Sequence, residues 1–79
     1  MNNKAFALRL NKELDEIGMP ARTDERVDAF ATLIHVPHFK AEAILNGNMN
    51  PEPPLLELLS EELEVNPEWL LGKSERRQN

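Results

Sequence analysis

His35 and His38 stand three residues apart, a spacing at which two helical imidazoles can share a metal ion. They straddle Pro37 and have no obvious third ligand, so a turn residue and an exposed helix-start residue are the expected roles. Glu13, Asp15 and Glu16 gather three carboxylates that suggest acid–base work, but acids on a surface helix are usually solvated. No nucleophile–base pairing, glycine-rich phosphate loop or cofactor fingerprint accompanies them, and 79 residues leave little room for a substrate cleft. An enzyme, a cofactor and a metal site are therefore not expected. The side chains left to do chemistry lie between residues 38 and 46. Helical spacing puts Phe39, Glu42, Ala43 and Asn46 on one face, with His38 and Lys40 on its flanks.

That face has to be held by what precedes it. Residues 24–47 divide into two short amphipathic helices around a tight break at His35-Val36-Pro37, the layout of a helix-turn-helix. Val27, Phe30, Ala31 and Ile34 recur at i, i+3, i+4 and i+7, giving the first of the two an apolar stripe. Ala41, Ile44 and Leu45 form the matching stripe on the second. In such a unit the outward face of the second helix enters the major groove of DNA. There Phe39 would offer apolar contact to a thymine methyl, and Glu42 would accept from a cytosine amino group. Asn46 and His38 would reach base edges or phosphates, and Lys40, Arg26, Arg22 and Lys4 would reach flanking phosphates. For each of these the alternative is ordinary surface polarity, and for Phe39 it is burial against the preceding helix or the turn.

No stretch alternates apolar and polar residues with β-branched enrichment, so no strand is expected. A first helix spans about Asn3 to Ile17, with Phe6, Leu10, Leu14 and Ile17 inward and Gly18 and Pro20 ending it. Thr23 is the expected N-cap of the second, with Asp24 and Glu25 at the positive end of its dipole. The third begins at Pro37 or His38 and stops at Asn46-Gly47. A fourth starts at Pro53-Pro54 and continues through Leu55, Leu56, Leu59 and Leu63. Asn66 caps a short fifth helix from Pro67 to Leu71, and the polar tail from Lys73 to Asn79 is expected to fray. Five helices with turn-length connections make a compact all-α domain over residues 1–74, with residues 75–79 as a flexible tail. Its core should include Phe6, Leu10, Leu14, Phe30, Ile34, Ile44, Leu59 and Leu63.

Composition narrows the setting. The absence of cysteine excludes disulfides, thiolate catalysis and Cys-ligated zinc. The N-terminus is too polar for a signal-peptide core and no apolar run approaches bilayer length, so a soluble cytoplasmic protein is expected. A net charge of −5 counts against generic nucleic-acid affinity. Its distribution softens that objection. Residues 1–22 carry four bases and three acids, residues 23–47 two and four, and residues 48–79 three and seven, so the acid gathers in the C-terminal third. That third could face away from DNA, or be a solvated face that only keeps the protein soluble.

Phe6-Ala7-Leu8-Arg9-Leu10, Phe30-Ala31, Ile44-Leu45-Asn46-Gly47 and the ending from Leu63 to Gly72 stand in an order and spacing by which the chain resembles the DNA-binding domain of lambda-repressor and Cro-like helix-turn-helix regulators over roughly residues 5–74. Phe6-Ala7-Leu8-Arg9-Leu10 resembles the family's opening Arg-Leu helix, and Phe30-Ala31 its Leu-Ala pair before the turn. Ile44-Leu45-Asn46-Gly47 is similar to the Trp-Leu-x-Gly closing its recognition helix. Leu63-Glu64-Val65-Asn66-Pro67-Glu68-Trp69-Leu70-Leu71-Gly72 resembles its Leu-Gly-Val-Ser-x-Glu-Trp-Leu-Leu-x-Gly ending. The chain departs from the family at His35, usually glycine, at Pro37, usually a serine or threonine cap, and at Val27, often glutamine. His38-Phe39-Lys40 also replaces the usual polar triplet. The departures fall where reading would occur, so the family's fold transfers better than its specificity. The resemblance implies a sequence-specific transcriptional regulator binding double-stranded DNA as a homodimer. It also implies dimerisation through the C-terminal region, here Leu58, Glu62, Trp69, Leu70 and Leu71, although Trp69 with Leu70 and Leu71 is most simply core closing the bottom of the bundle. A domain of another class, repurposed to bind protein through the Phe39 face and the acidic C-terminal third, is the alternative.

Overall fold

Phe6, Leu10 and Leu14 recur every four residues and all three are fully buried, so one stripe of the first helix builds a wall of the core. A computed structural model describes residues 3–78. Five helices follow in order: α1 (Asn3–Glu16), α2 (Thr23–Ile34), α3 (His38–Leu45), α4 (Pro53–Leu63) and α5 (Pro67–Leu70). No strand occurs among the described residues. The radius of gyration, 11.4 Å, is close to the roughly 12 Å of a compact chain of this length. Val27, Phe30 and Ile34 of α2, Ala41, Ile44 and Leu45 of α3, and Leu59 and Leu63 of α4 close on the α1 stripe. All eight core residues expected from periodicity are buried, and Val65 and Leu70 join them.

The five helices stop in one way. At each C-terminus a residue takes the left-handed conformation: Gly18, His35, Gly47, Glu64 and Gly72. The next N–H then reaches back five residues: Met19 to the Leu14 carbonyl, Val36 to Ala31, Asn48 to Ala43, Val65 to Ser60 and Lys73 to Glu68. This closure satisfies carbonyls the helix leaves unbonded, and after α1, α2 and α4 it turns the following side chain, Met19, Val36 or Val65, inward. It corrects the assignment of Ile17. The turn at Gly18 packs Met19 against the core instead, and Ile17 is left 55% exposed.

Other limits also shift. Thr23 is the first residue of α2 rather than its cap; Arg22 occupies the cap position and provides no side-chain cap hydrogen bond. Asn66 does cap α5, its Oδ1 accepting from the Glu68 N–H at 3.0 Å. Pro53 opens α4 and Pro67 opens α5, each where the missing N–H would have no helical partner.

The segment after Gly72, expected as a flexible tail, is docked through residue 77; Asn79 lies outside the described residues. Its backbone is held by Asn66, whose N–H donates to the Arg77 carbonyl at 2.7 Å and whose Nδ2 donates to the Arg76 carbonyl at 3.1 Å. Side chains of α1 hold it as well. Arg9 donates to the Trp69 and Ser74 carbonyls and lies 4.8 Å over the Trp69 ring, and Arg77 meets Glu13. Long-range charge pairing outweighs the fraying that local composition favours.

Candidate functional site

The conformation of residues 35–37 aims α3. His35 turns the chain at φ 57, Val36 drops half-buried beneath the turn, and Pro37 is extended at φ −62, ψ 152. Pro37 offers no side-chain cap, but its carbonyl accepts from the Lys40 and Ala41 N–H groups, each at 3.1 Å. Ala41, Ile44 and Leu45 seal the inner side. At the far end Asn11 of α1 donates from Nδ2 to the Leu45 carbonyl at 3.1 Å and to its own Ala7 carbonyl at 2.9 Å. The helix is thus fixed at both ends and along one side. Asn11 was not legible as a positioning residue, because nothing local marks which surface amide meets a helix terminus.

The outward side holds what helical spacing placed there. His38, Phe39, Glu42 and Asn46 are exposed and Ala43 is half-buried. Phe39 is 73% exposed, so it does not fold back onto α2 or the turn. A ring left in water has no role in holding this fold together.

The cations around α3 are less available than their sequence positions suggested. Lys40 extends to the loop before α4, its Nζ 2.8 Å from Glu52 Oε1. The hydrogen bond and charge of Lys40 hold the Glu52 carboxyl below its usual value near 4.5. Arg22 is exposed and pairs with Asp24 at 3.3 Å. His38 Nε2 lies 3.4 Å from Asp28 Oδ1. Glu52 and Asp28 are the groups that charge counting along the chain could not connect to these partners.

Arg26 requires a correction. It was expected to reach phosphate, but it is buried at 7% exposure and its guanidinium faces the α1–α2 connection. Nε donates to the Pro20 carbonyl at 2.6 Å, while the terminal nitrogens donate to Asp15 at 2.5 Å, the Met19 carbonyl at 3.2 Å and Asn11. A planar fork with five N–H donors suits this cluster of acceptors, so Arg26 is a bracket inside the fold.

Among residues expected at a dimer interface, Leu58, Trp69 and Leu71 are half-buried against the core and Glu62 is exposed. Leu70 takes the simpler of its two expected roles, core rather than dimer surface: at 0% exposure it lies inside the protomer and has no area to offer a partner. Trp69 carries Arg9 over its ring, with the Arg77 guanidinium 5.8 Å from the ring centroid. No group of three His, Cys, Asp or Glu side chains among the described residues could hold a metal ion. No described helix is long and apolar enough to cross a membrane. No family model, curated protein or solved structure matches the chain.

Proposed function

We propose that this chain is a sequence-specific, double-stranded DNA-binding transcriptional regulator, cytoplasmic and homodimeric, that reads an operator with α3. The carrying observation is the division of α3 into a sealed inner side and an outer side whose His38, Phe39, Glu42 and Asn46 are exposed. A short helix packed this way after a three-residue break suits insertion in a major groove, with Phe39 against a thymine methyl and Glu42 on a cytosine amino group. Two protomers would place their helices about one helical turn apart and double a small set of phosphate contacts. The pairing of Lys40 with Glu52 implies that phosphate binding exchanges one partner for another.

A second reading, a protein-interaction module, is favoured by the same ring and those same ion pairs. An aromatic anchor in a setting of little net positive charge is the usual centre of a protein–protein contact. Selecting bound fragments from random duplex DNA and titrating the winner in rising salt separates the two. A recovered inverted repeat and affinity falling steeply with salt are expected. Failure to recover any duplex at low salt would transfer the α3 face to a protein partner.

A further inference from the structure

Asn46-Gly47 is the one Asn-Gly step in the sequence, and it stands at the C-terminal end of α3. The structure separates Asn46 from the other asparagines. Asn11 donates to the Ala7 and Leu45 carbonyls, and Asn66 caps α5 while donating to the Arg76 carbonyl. Asn50 and Asn66 precede prolines, whose nitrogen carries no hydrogen. Asn48 is exposed but precedes Met49, whose side chain crowds the nitrogen behind it. Asn46 is exposed, and its side-chain amide has no hydrogen-bond partner among the described residues. The nitrogen that follows belongs to glycine, which places no Cβ in the way of a reaction.

These are the conditions for an internal acyl transfer. The Gly47 nitrogen, yielding its proton to solvent, attacks Cγ of Asn46. The bond from Cγ to the side-chain nitrogen breaks, ammonia leaves, and a five-membered succinimide closes. Water then opens the ring at either carbonyl, giving aspartate or isoaspartate. In sum, one amide and one water become one carboxylic acid and one ammonia.

The fold governs when this happens. A flat ring needs the Gly47 nitrogen eclipsed with Cβ of Asn46, but at ψ −5 it eclipses the Asn46 nitrogen instead. Gly47 is buried at φ 79, its N–H donating to the Ile44 carbonyl at 3.2 Å. The Asn48 N–H closes the same turn on the Ala43 carbonyl at 2.9 Å. The closed turn thus protects Asn46, and the reaction waits on local opening of the helix end. The product fits the closed turn less well. A carboxylate at position 46 stands four residues after Glu42, at the negative end of a helix with no base in its last turn. It also removes two N–H donors from the outer side of α3 and adds a charge that repels phosphate.

We propose that Asn46-Gly47 is a self-modification site whose deamidation, timed by opening of the α3 turn, takes α3 out of binding. The loss of binding rests on the reading of α3 as the DNA-contacting helix; the covalent step does not.

The test holds the full chain in mildly alkaline buffer and follows it by peptide mass spectrometry. Conversion at Asn46 with an equal release of ammonia is expected, and none at Asn11, Asn48, Asn50 or Asn66. In denaturant Asn46 should convert at least about tenfold faster, since the turn no longer has to open. Asn46→Gln should block the reaction, because its longer side chain would have to close a six-membered ring. Asn46→Asp should bind the selected duplex about tenfold more weakly than the parent, and Asn46→Gln within about threefold of it. Intact Asn46 in the folded chain, once the unfolded chain has reacted fully, would overturn the proposal. So would equal conversion at Asn48, or equal duplex binding by Asn46→Asp and the parent. Should no duplex bind the parent, it is the DNA reading of α3 that fails, and the mass change decides the modification either way.

Discussion

Arg77 closes over Glu13, 64 residues earlier in the chain, with two hydrogen bonds of 2.9 and 2.5 Å from its guanidinium to the carboxylate. The Glu13 side chain is 6% exposed and that of Arg77 is 45% exposed, so the buried acid takes its counter-charge from the chain's far end. The hydrogen bond to Glu13 in turn raises the Arg77 pKa above its usual value. Replacing Arg77 by alanine strands a buried carboxylate, the costly way to break such a pair. Arg77→Ala should lower the melting midpoint by several degrees, and adding Glu13→Gln should recover most of the loss. Equal midpoints for Arg77→Ala and the parent would show that the C-terminal segment is undocked in solution.

Phe30 is fully buried at the centre of α2, between the α1 stripe and α3. Phe30→Ala should destabilise by about 3–5 kcal/mol, combining lost transfer energy with an unfilled cavity. In a domain of this size that is enough to populate the unfolded state near room temperature. Chemical denaturation followed by circular dichroism measures it.

His35 holds φ 57, ψ 51 without being glycine. A left-handed backbone costs an L-residue roughly 1–2 kcal/mol, part of which glycine gives back through its larger unfolded-state entropy. His35→Gly should therefore stabilise by up to about 1 kcal/mol, and His35→Val should destabilise because β-branching worsens the clash. Denaturation midpoints that rank valine above glycine would contradict this turn geometry.

Lys40 and Glu52 make a pair that DNA would have to open. Glu52→Gln should tighten duplex binding a few-fold and increase the salt slope by about one, as Lys40 becomes free to neutralise a phosphate. Since Glu52 has a depressed folded-state pKa, the pair contributes fully above the ordinary value near 4.5 and is lost as pH falls through the lower folded value. The Glu52 carboxyl should accordingly titrate below 4.5 by carbon-detected NMR and move upward in Lys40→Ala.

Glu42 and Phe39 separate the two readings of α3. If α3 reads DNA, Glu42→Ala should relax preference at one base pair by about 1–3 kcal/mol while leaving the other positions unchanged. If it binds protein, Phe39→Ala should abolish the complex and added salt should have little effect. Competition binding on a panel of single-site operator variants distinguishes them.

What was legible in the sequence is local in origin. The inward stripes of α1 to α4 follow from 3.6-residue periodicity, and the ends of α1 and α3 and the starts of α4 and α5 follow from glycine, asparagine and proline acting on adjacent backbone. The left-handed His35 and Glu64 that close α2 and α4 carry no such local mark. Placement of Phe39, Glu42 and Asn46 outside and Ala41, Ile44 and Leu45 inside needed nothing more. Ile17 was misread because periodicity continues past a helix end, whereas the turn at Gly18 reorients the next side chains. The destinations of the charged groups depended on tertiary structure alone. Arg26 in a bracket of carbonyls, Lys40 on Glu52 and Arg77 on Glu13 each join residues at least eleven apart or groups in different elements. A long flexible cation has many reachable partners, and only the packed positions of the helices decide which acceptor desolvates with it.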